Sequence, residues 1–361
     1  MSQQHSLVAR NDRGDVPGQP LISVIIPVHD VEPYLGECLD SVLGQSFGDI
    51  EVIAVESDSR DKSGAILDAR ARDDPRLLAM HIPAHGPGGN RNVALGEASG
   101  QYVWFVDADD LIPPGSLRAI TEAIAIEPCD ILLFDFAYLY PGGQTKASPG
   151  RDLLPGAPAG SFRLAGWPDA ISLTATVWSK VFRRGFLLDS GISFPDGIHE
   201  DVPVTFAALL GAEKIRVLSR VCYLYRQRPG SFMATASAGH FDIFRSYRQV
   251  LDMAAKWQPG DDAGSIKKVR TALFVRAIGH YATNLDGGRR VPRGDRRRYF
   301  AMMRDDFVAY RPAGYRPPDS LSGLKYRLIA RNAYLLYSAL TLANRGRLRL
   351  QARARGVRPS A

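Results

Sequence analysis

Five short apolar runs punctuate the first 140 residues: LISVIIP (21–27), IEVIAV (50–55), LLAMHI (77–82), YVWFV (102–106) and ILLFDFAYLY (131–140). Continuous apolar character over so few residues is the profile of a strand covered on both faces. Helical patterns separate them. Pro33 suits a first turn, with Leu35, Leu39, Val42 and Leu43 on one side of the helix that follows. Ser63 reads as the cap of GAILDARAR, a short helix is expected from Asn90 after the glycine-rich HGPGG, and Ser116 starts another. Strands alternating with helices require crossover connections, which predicts an α/β fold with a mainly parallel sheet and flanking helices. Ligands of such sheets sit beyond the carboxyl ends of the strands. That rule gathers PVHD (27–30), ESDS (56–59) and DADD (107–110) on one rim.

Residues 141–160 are rich in Gly and Pro and read as a linker or an ordered excursion. WPDAISLTATVWSKVFRRGFL and HEDVPVTFAALLGAEKI continue a packed domain, and VCYLYRQR is a further strand. From about Phe241 the pattern turns helical and arginine-rich. The expected organisation is a disordered leader (1–20), a catalytic domain (21–235, with halves at 21–140 and 161–235) and a helical, basic C-terminal region (236–361). Charge follows the same division: residues 289–361 hold 18 Lys/Arg against 4 Asp/Glu, whereas the preceding 288 hold 27 against 34. An acidic body with a basic tail suggests that the tail meets something anionic.

Asp107 and Asp109 end a core strand, and alternate side chains of an extended or turning segment can point to one side. Two carboxylates so placed can hold Mg2+ or Mn2+, hard ions that take oxygen ligands. A solvated acidic turn would carry the same residues. Arg91 follows a glycine-rich loop at a helix start, a place that suits a diphosphate. GPGG lacks the lysine of an ATPase phosphate loop. Lys180 in VWSK is a second cation able to reach a phosphate, although a lysine after a core tryptophan also serves structure.

SVIIPVHDVEPYLGECLDSVLGQS, GPGGNRNVALGEASGQY and WFVDADD together resemble a family 2 glycosyltransferase. VWSKVF, GISFPDGIHEDVPVTFAALLGAEKI and VCYLYRQRPGSF are similar to the acceptor half of bacterial members that build cell-surface glycans. The resemblance implies a GT-A (Rossmann-like) fold and inverting transfer from a nucleoside-diphosphate sugar to a hydroxyl of a surface polysaccharide, a teichoic-acid-like polymer or a lipid-linked precursor. It places Pro27, Val28, His29 and Glu56 at the nucleoside, and Arg91 and Asp107 at the diphosphate. Asp109, with Asp107, becomes the metal ligand. In the pair Glu200-Asp201, Asp201 becomes the general base that takes the acceptor's proton. The family usually shows two acidic or amide residues and then glycine where this chain has Glu56, Ser57 and Asp58, a departure at the place where the resemblance implies the base of a UDP-sugar donor.

Three cysteines without close spacing argue against a disulfide framework or a zinc ribbon, and a cytoplasmic setting is expected. No uncharged apolar run reaches the ~18–20 residues that span a bilayer. Leucines and tyrosines among the arginines of 321–350 suit peripheral contact with the inner face of a membrane, or else a helical cap on the catalytic domain. No recognisable module accompanies the charge, so nucleic acid is not an expected partner. Two other readings are a nucleotidyltransferase, disfavoured because residues 28–36 contain no Lys or Arg, and a non-catalytic sugar-nucleotide-binding module.

Overall fold

The computed structural model describes residues 19–228, 235–258, 260, 263–286 and 290–354, with side chains as far as residue 347. All but the last two residues of the expected leader, and residues 229–232 of the final motif, lie outside the described residues. The chain divides into two compact units, Met1–Pro229 with Trp257–Ile266, and Gly230–Lys256 with Lys267–Ala361.

The first unit is built on an eight-stranded sheet. Strands β1 (Ile22–Val28), β2 (Ile50–Ser57), β3 (Leu77–Ile82) and β4 (Tyr102–Phe105) run parallel in the order β3-β2-β1-β4. Val24 stands beside Val52 on one side and Trp104 on the other. Successive β1 residues Val24, Ile25 and Ile26 are all fully buried, which is why the run reads as continuously apolar. Crossover helices α1 (Glu32–Leu43), α2 (Ser63–Asp73) and α3 (Gly86–Glu97) connect these strands, and α4 (Ser116–Ile126) follows β4. Leu35, Leu39 and Val42 of α1 enter the core beneath the sheet.

Two local expectations change. Ser63 is the first helical residue rather than the cap, and its hydroxyl accepts from the amide of Val31 at 3.0 Å. Helix α3 starts at Gly86, four residues before Asn90, so the glycine-rich stretch is its first turn rather than a loop. Pro87 fits that turn because the first helical amides have no intrahelical acceptor anyway.

The sheet continues with β5 (Ile131–Leu139), β6 (Thr145–Ala147), β7 (Lys180–Arg183) and β8 (Ile215–Arg226). The parallel half does not pass directly to β5. Strand β7 enters between β4 and β5, antiparallel to both, and β8 lies parallel along the other edge of β5. Two reversals restore the direction of β4 in β5, so the carboxyl end of β8 reaches the same rim as those of β1, β2 and β4. Asp130 locks this junction: it accepts from Arg183 at 2.7 Å and from the amides of Glu213 and Lys214 at 2.9 and 3.0 Å. Short helix α5 (Arg184–Asp189) and helix α6 (Asp201–Gly211) lie between β7 and β8 in the chain.

The second unit is helical: α7 (Asp242–Lys256), most of α8 (Ala263–Asp286), α9 (Arg296–Tyr310), α10 (Leu321–Ala330) and α11 (Tyr334–Ala354). Aromatic rings fill its interior, with Phe244 against Tyr281 and Tyr299 at 4.4 and 4.7 Å between centroids. Buried Asp306 keeps its charge compensated through Arg248 at 2.8 Å and Tyr281 at 3.0 Å. Among the described residues, no helix is long and apolar enough to cross a membrane.

Candidate active site

Each carboxylate of DADD has its own partner. Asp107 accepts from Arg91 Nη2 at 2.7 Å, and its amide donates to the Tyr223 hydroxyl. Asp109 accepts from Arg228 Nε at 2.6 Å. Asp110 is fully buried and takes the Tyr223 hydroxyl and the Arg226 amide, both at 2.7 Å. Burial, with the charges of Asp109 and Asp107, holds the Asp110 pKa well above the carboxylate range. The end of β8 thus clamps the loop after β4, and Asp110 serves the clamp. Arg226 and Arg228 in turn lie over the Tyr34 ring at 5.3 and 5.2 Å, a cation–π arrangement that ties them to α1.

Arg91 joins the two acidic pairs. Its Nη1 donates to Glu200 at 2.6 Å while Nη2 holds Asp107, and the Phe194 ring lies 5.4 Å from the guanidinium carbon. Burial works against its charge, but Asp107 and Glu200 outweigh that and raise its pKa further. Asp201 opens α6 next to Glu200, where an acidic residue is favoured by the helix dipole. Its pKa is pushed up to about 8, first by burial and then by the neighbouring Glu200 charge, with Arg91 opposing. Asp107 is also raised: burial lifts it, Arg91 pulls it down, and Asp109 and Glu200 lift it again. Preceding the pair, buried His199 holds φ at 67°, a left-handed conformation that costs a bulky residue energy and often accompanies a functional turn.

The glycines of α3 allow this approach. A Cβ on Gly88 would lie 2.8 Å from the Pro195 carbonyl oxygen and 3.1 Å from Glu200 Cγ. Gly88→Ala should therefore push the 194–200 segment away from Arg91. The expected result is a folded protein about 1–3 kcal/mol less stable with transfer reduced by up to about 100-fold, measured by thermal melts and turnover. Unchanged turnover would show that this close approach is not needed.

On the opposite side of the rim, Pro27 and Val28 end β1 and His29 is exposed, its Nδ1 2.5 Å from the Ser57 carbonyl. Glu56 is already engaged, accepting from the Ser59 amide at 2.6 Å and meeting His81 Nδ1 at 3.0 Å. Burial alone would raise its pKa, but the Ser59 and His81 hydrogen bonds prevail and lower it. Asp58, where the resemblance leads one to expect glycine, adopts φ 47° and accepts from the Ala84 amide at 2.9 Å. Lys180 is buried, with Nζ bound to the carbonyls of Thr174 and Thr176 at 3.1 and 2.6 Å. Its ammonium anchors the chain before β7, so the structure gives it a structural task in place of an open phosphate contact.

Among the described residues, no group of three or more His, Cys, Asp or Glu side chains forms a ready-made metal cage. The rim offers a partial set. Asp107 and Asp109 are 28% and 22% exposed and carry the hard oxygens that Mg2+ or Mn2+ takes, leaving other positions for phosphate and water. These residues fit such an ion once Arg228 releases Asp109.

Residues 23–185 match the model of glycosyl transferase family 2. The chain carries a family 2 glycosyltransferase domain. Curated relatives include the uncharacterized glycosyltransferase EpsJ of Bacillus subtilis, 31% identical over 59% of this chain and 62% of its own. The poly(ribitol-phosphate) beta-N-acetylglucosaminyltransferase TarS of Staphylococcus aureus is 30% identical over 63% of this chain. The chain thus spans 62% and 39% of the lengths of these two relatives. The crystal structure of TarS 1–349 in complex with UDP-GlcNAc shares the fold, with a TM-score of 0.72 at 23% identity over 90% of this chain and 92% of that one.

The structure brings Asp107, Asp109 and Arg91 of the matched segment to one rim with Glu200 and Asp201, which follow it in the chain, and His29 and Glu56 stand at the β1 and β2 ends. Tyr34, Phe194, Tyr223, Arg226 and Arg228 also belong to the site, and sequence reasoning did not single them out. One signal was available: Arg226 and Arg228 stand two apart at a strand end, the spacing that puts both on one side.

Proposed function

We propose that this chain is an inverting glycosyltransferase that moves a sugar from a nucleoside-diphosphate sugar, with UDP as the nucleotide, to a hydroxyl of a cell-surface polysaccharide, a teichoic-acid-like polymer or a lipid-linked precursor. The observation that carries the reading is the Arg91 bridge, which sets the Asp107 carboxylate and the Glu200-Asp201 pair on opposite arms of one guanidinium. A donor diphosphate at the first and an acceptor hydroxyl at the second would meet between them. TarS, a structural neighbour crystallised with UDP-GlcNAc and with UDP, supports a uridine donor.

In this reading the diphosphate enters beside Asp107 and Asp109 and draws Arg228 from Asp109 toward the phosphates. Mg2+ or Mn2+ held by Asp107 and Asp109 would supply charge to the diphosphate. Arg228, freed, adds a cation where negative charge develops on the leaving group. Asp201 accepts the proton of the acceptor hydroxyl as that oxygen bonds to the anomeric carbon. The bond to the diphosphate breaks on the opposite face, and the configuration inverts. Arg91 holds Glu200 in place beside Asp201, whose basicity the Glu200 charge raises.

Release of UDP from a panel of UDP-sugars tests the donor half without knowledge of the acceptor. Asp109→Asn should lower hydrolysis by about 100-fold or more, a chelator should do the same, and Mn2+ or Mg2+ should restore the wild-type rate. Full hydrolysis in excess chelator would remove the metal from the reading. Full hydrolysis by the Asp109→Asn variant would remove this rim as the donor site.

A further inference from the structure

Helix α11 has one face anchored and, among the described residues, one face exposed. Tyr337 is buried and donates to Asp286 at 2.9 Å, Thr341 reaches the same carboxylate at 3.3 Å, and Lys325 of α10 pairs with it. That fixes which side of α11 looks into the second unit. The other side presents Leu335, Leu336, Ala339, Leu342 and Ala343, all exposed. Leu335, Leu336 and Leu342 are 70%, 63% and 66% exposed. Their spacing, at successive turns, makes a continuous apolar stripe where a helix at a water interface would carry polar groups.

Arginines flank the stripe. Arg331 precedes it and Arg345 and Arg347 follow it, while α10 adds exposed Leu324 beside Arg327, which pairs with Asp319 at 2.6 Å. Residues 321–361 contain nine Lys/Arg and no Asp or Glu. A second copy of the chain would bring like charge against like, and nucleic acid would find no use for a row of leucines. A bilayer with anionic headgroups satisfies both features, taking the leucines at the acyl boundary and the arginines at the phosphates. No helix among the described residues spans a membrane, so the contact lies in the plane of the surface.

We infer that the exposed leucine stripe of α11, with its flanking arginines, docks the protein on an anionic lipid surface. Such docking serves the transferase reading, on which its purpose rests, because an acceptor anchored in lipid is met at its own surface.

Co-sedimentation of the full chain with phosphatidylcholine vesicles, with and without phosphatidylglycerol, tests this. The wild type should pellet with the anionic vesicles and hardly with the neutral ones, and added salt should weaken binding. Leu335→Ser/Leu336→Ser/Leu342→Ser and, separately, Arg331→Glu/Arg345→Glu/Arg347→Glu should each lower partitioning by about tenfold or more. The leucines, Arg331 and Arg347 are exposed and Arg345 is half-buried, and none touches the candidate active site, so both variants should retain the wild-type melt and wild-type sugar-nucleotide hydrolysis. No binding to anionic vesicles, or undiminished binding by the leucine variant, overturns the inference. So does a wild-type dimer in light scattering that the leucine variant dissociates, since a second copy would then cover the face. Absence of sugar-nucleotide hydrolysis in the wild type would sink the transferase reading alone, leaving the vesicle result standing.

Discussion

Asp201→Asn should lower glycosyl transfer by about 10²–10⁴-fold, the range of a lost general base, while UDP-sugar binding stays within about twofold of wild type. Asn keeps the shape and the helix start but cannot take a proton. The wild-type rate should rise with pH, because a base at Asp201 must be ionised to act and burial with the Glu200 charge pushes its pKa up to about 8. The residual rate of the variant should lack that inflection. Stability gives an independent check. The folded pKa of Asp201 lies above the ordinary value of about 3.9 for an unfolded aspartate, so the folded state holds this proton more tightly. Its contribution therefore favours folding at low pH and is lost as pH rises toward 8. The ligand-free variant should accordingly melt above wild type at pH 9, and the gap should close near pH 4. Transfer at the wild-type rate, with the same pH profile, would exclude Asp201 as the base.

The parallel half of the sheet was legible because both faces of its strands are covered, so burial imprinted itself as unbroken apolar runs. Strand β7 was not legible: KVFR is only four residues long, and it pairs antiparallel with both β4 and β5. Only long-range pairing decides which strand enters between two others. The glycine-rich stretch misled for a related reason. Glycine signals conformational freedom, but at Gly88 the requirement is space, set by a backbone carbonyl more than a hundred residues away in sequence. The three aspartates of DADD look mutually repulsive in sequence, as though only a cation could reconcile them. In the folded chain, Arg91, Arg228 and the Tyr223–Arg226 clamp each neutralise or satisfy one of them. Two of those partners come from β8, whose return to the same rim depends on the reversals at β7. The carboxylates were visible locally, and their counter-charges only through topology.

Arg91→Met should be the most damaging single change to stability. Methionine approximates the length of the arginine stem, so the loss would be chiefly electrostatic. Asp107 and Glu200 would remain largely enclosed, now without the guanidinium that both share. Removing one partner of a buried ion pair costs about 3–5 kcal/mol, which at roughly 2–4 °C per kcal/mol for a unit of this size lowers the melting temperature by about 6–20 °C. The sign of the pH dependence separates this from lost packing. Without Arg91, whose charge pulls it down, the folded-state pKa of Asp107 rises further, so its protonation favours the folded variant. The deficit relative to wild type should then be largest near neutral pH and shrink as pH falls toward 4. Adding Glu200→Gln to Arg91→Met removes one of the stranded charges and should recover part of the stability at pH 7 without recovering transfer. A deficit that is the same at every pH would mean that Arg91 contributes through its packing on Phe194 instead of as the ion that joins the two halves of the site.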